Sequence, residues 1–245
     1  MTKKVNILGA KIDRIAMAEA KDIAMSFFET EGKKVIYTPN SEIILYASRN
    51  KEFMDKLNSA DLMIADGIGV VYGAKVLRNS LPERVAGFDL LKTILPLMAK
   101  KGLSLYLLGS KPGVSEKAGE NLLKDYPGIK IAGTHDGYFK DDEEVIADIN
   151  AKKPDLLLVC LGFPKQENWI YDNREKLQVK AMIGAGGCLD VFSGTVERAP
   201  EFYCKHGLEW FYRLKKEPWR FKRMTALPVF ALKVLFKGWK YKQDK

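Results

Sequence analysis

Short runs of almost unbroken apolar residues recur along the chain, at 5–8, 35–38, 62–65, 103–108, 129–132, 156–161 and 180–184. Each is too short for a helix and shows no polar face, the pattern of a strand covered on both sides. Between them apolar residues return at helical spacing over 17–30, 42–48, 88–101, 114–125, 143–151 and 166–176, and several of these segments open on Pro, Ser or Asp. Strands alternating with helices predict an α/β fold, a Rossmann-like and mostly parallel sheet flanked by helices. Near residue 195 the strand-like runs stop and helix-like basic and aromatic segments take over. The expected organisation is an α/β core over 1–195 and a helical, basic, aromatic-rich C-terminal appendage over 196–245.

A parallel sheet of this kind binds ligands at the carboxyl ends of its strands, so the residues just after each run carry the chemistry. They read Thr38-Pro39-Asn40, Asp66-Gly67, Gly109-Ser110-Lys111, His135-Asp136-Gly137, Gly162-Phe163-Pro164-Lys165-Gln166-Glu167 and Gly184-Ala185-Gly186-Gly187. Asp66 admits two readings: a carboxylate that takes a proton from an attacking hydroxyl, or a cap on the next helix. The glycines at 109 and at 186 and 187 can cradle a diphosphate on backbone amides, or they can simply make tight turns. Arg84-Val85-Ala86-Gly87-Phe88-Asp89 offers an anion-binding fork, or an internal Arg84–Asp89 pair ahead of a helix. Gln166 either faces a ligand or only belongs to a helix start behind Pro164.

Charge changes the picture at the far end. Residues 199–245 hold 12 Lys/Arg against 4 Asp/Glu, so they carry +8 of the formal +9, and Trp210, Trp219, Phe230, Phe236 and Trp239 are interleaved with them. A cationic segment with apolar rings suits an anionic surface over an apolar layer, such as a membrane face. Arg213, Arg220 and Arg223 can also close over the core and neutralise a leaving diphosphate. The stretch 224–236 includes Pro228 and Lys233 and is 13 residues long, short of the roughly 20 needed to span a bilayer. The start has no apolar run of secretory length, and the three separated cysteines with two histidines suggest neither disulfides nor a zinc site, so a cytoplasmic protein is expected. No carboxylate or histidine cluster with metal-ligand spacing occurs, and neither a metal nor another cofactor is expected.

Taken together, Thr38-Pro39-Asn40, Ala65-Asp66-Gly67, Arg84 to Asp89, Gly162 to Glu167, Gly186-Gly187, Ser193-Gly194-x-x-x-Arg198-Ala199-Pro200 and Gly207-Leu208-Glu209-Trp210-x-x-Arg213 resemble the WecG/TagA/CpsF family of glycosyltransferases, and within it the TagA type. The motifs are short, but their joint order is specific and covers about residues 5 to 225. The resemblance implies an inverting transfer of N-acetylmannosamine from UDP-N-acetylmannosamine to a lipid-diphosphate-linked GlcNAc, with a β-1,4 linkage, in wall teichoic acid synthesis. It implies Asp66 as general base, Arg213, Arg220 and Arg223 as stabilisers of departing UDP, and Thr38, Asn40, Arg84, Asp89, Gly109, Gln166, Gly186 and Gly187 around the substrates. It also places the protein peripherally at the cytoplasmic membrane face, with the appendage both completing the site and meeting anionic lipid. A site fully assembled only at the membrane would follow, and a homo-oligomer is left open.

Donor choice within the family, N-acetylmannosamine, N-acetylmannosaminuronic acid or glucose, depends on a few pocket contacts that the sequence does not resolve. Two readings from other classes compete. A dinucleotide-dependent oxidoreductase would use Gly67-x-Gly69-x-x-x-Gly73 with Asp89 on the ribose, but the glycine spacing misses the fingerprint by one residue. A nucleic-acid-binding protein would use the tail, yet residues 1–198 are nearly neutral, at 28 basic against 27 acidic, and no nucleic acid partner is expected.

Overall fold

The structure, a computed structural model, describes residues 2–218 and 221–241, without the Lys222 side chain. The chain begins with a hairpin, β1 (Lys4–Ile7) and β2 (Ala10–Asp13), then runs through α1 (Met17–Ser26), β3 (Lys34–Tyr37), α2 (Ser41–Ala47), α3 (Lys51–Asn58), β4 (Leu62–Met63), α4 (Ile68–Val76) and α5 (Gly87–Lys100). It continues with β5 (Ser104–Gly109), α6 (Val114–Asp125), β6 (Lys130–His135), α7 (Asp142–Lys152), β7 (Leu156–Cys160), α8 (Lys165–Asn173), β8 (Ala181–Gly184) and α9 (Cys188–Phe192). The end is helical: α10 (Glu201–Lys205), α11 (Glu209–Lys216), α12 (Phe221–Met224) and α13 (Ala226–Lys237).

Six strands form one parallel sheet in the order β4-β3-β8-β7-β5-β6. Side chains alternate across it. Val35, Tyr37, Tyr106, Leu157, Val159 and Met182 enter one core under α2, α4, α7 and α8, whereas Ile36, Leu105, Leu107, Leu158 and Ile183 enter the other under α1, α5 and α6. Both faces are covered, which is why the strands read as continuous apolar runs.

The first apolar run departs from expectation. It pairs antiparallel with β2 instead of joining the large sheet. Buried Asp13 ties this hairpin to the sheet by accepting from the Met63 backbone N–H at 2.7 Å and from Lys4 Nζ at 3.1 Å. The C-terminal appendage packs against the core. Phe230 and Val234 of α13 are buried in the same core as α2 and α4.

Gly109 marks the end of β5, where it pairs with Cys160 at φ +130, and a Cβ there would run into the Cys160 carbonyl. Gly109→Ala should therefore cost about 3 kcal/mol through overpacking and left-handed strain, read as a lowered urea midpoint at unchanged m-value.

Candidate active site

A cleft of about 750 Å³ opens at the carboxyl ends of the four neighbouring strands β4, β3, β8 and β7. Each strand hands over its chain to a turn that lines it: Asp66 and Gly67 after β4, Thr38 and Asn40 after β3, Ala185 to Gly187 after β8, and Leu161 to Phe163 after β7. The turn after β5 lies farther along the sheet, and Gly109 is absent from the lining. Gly109 answers a backbone constraint at its close approach to Cys160, and the following Ser110 Oγ donates to Asp190, which lines the cleft. α11 and α13 supply the opposite wall with Glu209, Arg213, Leu227, Phe230 and Val234.

Asp66 lies at the floor. The Gly87 backbone N–H, the first of α5, hydrogen-bonds its carboxylate, and the backbone from Ala65 is held by Val85 N–H at 3.1 Å. Gly87 can take this place because its missing side chain lets α5 start against Thr38, whose methyl would meet a Cβ at 2.9 Å. Burial and the neighbouring Glu209 carboxylate push Asp66 up to about 6, against the opposing pull of Arg84, Arg213 and the Gly87 N–H. Asp66 does not cap α4; Gly67 at φ +126 stands at that position, with no side-chain cap.

Behind Asp66 runs a chain of alternating charge. Arg84 Nη1 meets Glu209 Oε2 at 3.3 Å and Arg84 Nη2 meets Asp89 Oδ2 at 3.1 Å. Arg213 Nη2 donates to the other oxygen of Glu209 at 2.6 Å, and Arg198 donates to the other oxygen of Asp89. Asp89 thus holds both Arg84 and Arg198, which line the cleft. Arg198 also lies over the Phe88 ring at 4.6 Å, and Phe88 stacks on Phe192. Arg223 reaches the cleft from α12 and pairs with Glu42, with Nη2 to Oε2 at 2.8 Å. Arg220 falls outside the described residues.

The remaining candidates are partly spoken for by the protein itself. Thr38 Oγ1 donates to the Gly184 carbonyl at 2.9 Å. The Asn40 carboxamide oxygen caps α2 by accepting from Glu42 and Ile43, so Nδ2 is the end left to donate. Gln166 Oε1 accepts the Gly186 N–H at 3.0 Å, which removes one amide from the expected diphosphate cradle, and Gly187 stands at the N-cap of α9. Cys160 and Cys188 also line the cleft, but burial pushes both thiols up, Cys160 to about 12, so neither supplies a thiolate at neutral pH.

Glu209 and Arg198 are the residues to which sequence reasoning gave no role, although both stand in quoted motifs. Only the three-dimensional pairing with Arg84 and Asp89 reveals them. Removing the negative charge in Glu209→Gln should move the acidic limb of the kcat/KM–pH profile below its wild-type position, because the carboxylate that raises Asp66 is gone.

The glycines at 69 and 73 find their explanation in packing, and Gly67 in its φ of +126. A Cβ on Gly69 would run into Ser41 Oγ, and one on Gly73 would lie 3.2 Å from the Phe230 ring. Gly69 and Gly73 let α4 pack tightly on α2 and α13.

The sequence profile of the glycosyl transferase WecG/TagA/CpsF family matches residues 5–244. The chain belongs to this family. Similar proteins bear the name N-acetylglucosaminyldiphosphoundecaprenol N-acetyl-beta-D-mannosaminyltransferase. One from Bacillus subtilis (strain 168) is 42% identical over 82% of this chain and 78% of its own. One from Bacillus spizizenii is 37% identical over 96% and 91%, and one from Staphylococcus aureus (strain MRSA252) is 34% identical over 100% and 97%. The protein is a glycosyltransferase.

Proposed function

We propose that this protein moves N-acetylmannosamine from UDP-N-acetylmannosamine to the GlcNAc of an undecaprenyl-diphosphate-linked acceptor, by inversion into a β-1,4 linkage, with release of UDP in the formation of the teichoic acid linkage unit. The observation that carries the reading is Asp66, a carboxyl raised to about 6 on the floor of a cleft whose walls bear Arg84, Arg213 and Arg223. In one displacement the acceptor hydroxyl oxygen bonds to the anomeric carbon and gives its proton to Asp66. The bond from that carbon to the diphosphate oxygen breaks, and its electron pair leaves with UDP. A base with pKa near 6 is largely ionised at neutral pH yet far stronger than a free Asp of about 3.9. Arg213 and Arg223 face the growing charge on the leaving diphosphate, a role for which no metal or cofactor is invoked. Thr38, Asn40, Arg84 and Gln166 surround the sugar and diphosphate.

The lipid acceptor supports a peripheral place at the cytoplasmic membrane face. No helix among the described residues is long and apolar enough to cross a membrane. α13 instead exposes Leu232, Leu235 and Phe236, the last at 71%, next to Lys237. Such a face suits burial at the level of anionic headgroups.

The test is UDP release by the purified chain with UDP-N-acetylmannosamine, UDP-N-acetylmannosaminuronic acid or UDP-glucose, each with and without a lipid-diphosphate-GlcNAc acceptor. Acceptor-dependent release confined to the first donor is the expected result. Release with another donor alone would reassign the sugar, and no release with any donor would sink the transferase reading of this cleft.

A further inference from the structure

We propose that Glu167 is a positioning residue for this transfer, its carboxyl holding the Gln166 carboxamide, and through it the Gly186 turn, in the orientation that the cleft uses. The inference rests on the reading of the cleft given above. Gln166 and Glu167 stand in the first turn of α8, immediately after β7, and both are buried. Gln166 lines the cleft and Glu167 does not.

The two ends of a carboxamide are chemically unlike: the oxygen only accepts and the nitrogen only donates. Gln166 Oε1 accepts the Gly186 N–H at 3.0 Å, and Gln166 Nε2 donates to Glu167 Oε1 at 3.0 Å. A donor on one side and an acceptor on the other fix which end points where. Gly184 seats the group closely, since a Cβ there would lie 3.2 Å from Nε2. Nε2 carries two hydrogens, and one remains for a ligand in the cleft. The Glu167 backbone is itself pinned, because its carbonyl accepts from the Tyr37 hydroxyl at 3.1 Å.

Glu167 does this at a cost to the fold. Its Oε2 is buried with no hydrogen-bond partner, and burial pushes the carboxyl up to about 7 against the pull of the Gln166 bond. An apolar side chain of similar length would spare the fold that unpaired oxygen but would let Gln166 turn. Activity and stability should therefore part company at this position, as they do where a site is ordered against the interest of packing.

The experiment compares wild type, Glu167→Met and Glu167→Gln by acceptor-dependent UDP release and by thermal melting. Glu167→Met should lose about 10- to 100-fold in kcat/KM, the scale of a misplaced positioning group, with a Tm equal to or above that of wild type. Glu167→Gln keeps an acceptor oxygen for Nε2 and should restore the rate to within about three-fold of wild type on the same argument. A Glu167→Met that is as fast as wild type, one that loses rate and Tm together, or a Glu167→Gln as slow as Glu167→Met would each overturn the inference. An inactive wild type would instead overturn the transferase reading on which it stands.

Discussion

Replacing Asp66 by Asn lowers acceptor-dependent UDP release by about 10²- to 10⁴-fold, the contribution expected of a positioned general base, while the far-UV spectrum and solubility stay those of wild type. Asn keeps the shape and can still accept the Gly87 N–H, so the fold has no reason to fail. The pH dependence makes the prediction sharper. The base must be ionised, so wild-type kcat/KM climbs with pH through about 6 and levels off above it. Stability runs the other way. A carboxyl raised above its unfolded value, about 3.9, binds protons more tightly in the folded chain. Its contribution is full below pH 4 and is lost as pH rises through about 6. Asp66→Asn removes that loss, so the Tm difference between variant and wild type should grow from pH 4 to pH 6 in favour of Asn and then stay constant. An active variant, or a profile without a limb near 6, would strip Asp66 of the role.

How far these features were legible depended on whether each had a local cause. The buried strands were, because a strand covered on both faces must be apolar throughout, and 156–161 and 103–108 could hardly be anything else. β2 was not: Ala10–Asp13 alternates with a lysine and ends in an aspartate, whose carboxylate is satisfied by the distant Met63 N–H together with Lys4 and Thr2. α4 was hidden by its own glycines, poor helix formers whose purpose is close approach to Ser41 and Phe230. Within the site, Asp66 stood out by its place after a strand. Glu209 did not, since an acid in a basic helix reads as an ordinary intrahelical partner of Arg213 until Arg84 is found on its other oxygen. At Gly109 a glycine at a strand end looks like a phosphate turn, and only the packed sheet shows the Cys160 carbonyl that a Cβ there would meet.

Arg213→Ala should cut kcat by about 10²- to 10³-fold, the loss typical of removing one preorganised group from the developing charge of a transition state. The argument begins with where the guanidinium is held. It lies against Glu209, which it shares with Arg84. It is therefore already placed on the cleft wall, and its charge is already felt at Asp66, which it pulls downward together with Arg84. Its removal has two consequences of different kinds. The leaving diphosphate loses a cation, which lowers the plateau rate at every pH. Asp66 loses part of what holds it down while keeping the Glu209 carboxylate that lifts it, so the acidic limb moves above its wild-type position near 6. Glu209→Gln moves the same limb the opposite way. A shared electrostatic network requires the two limbs to separate on either side of wild type; a lowered plateau with an unmoved limb would mean that Arg213 serves the leaving group without touching the base.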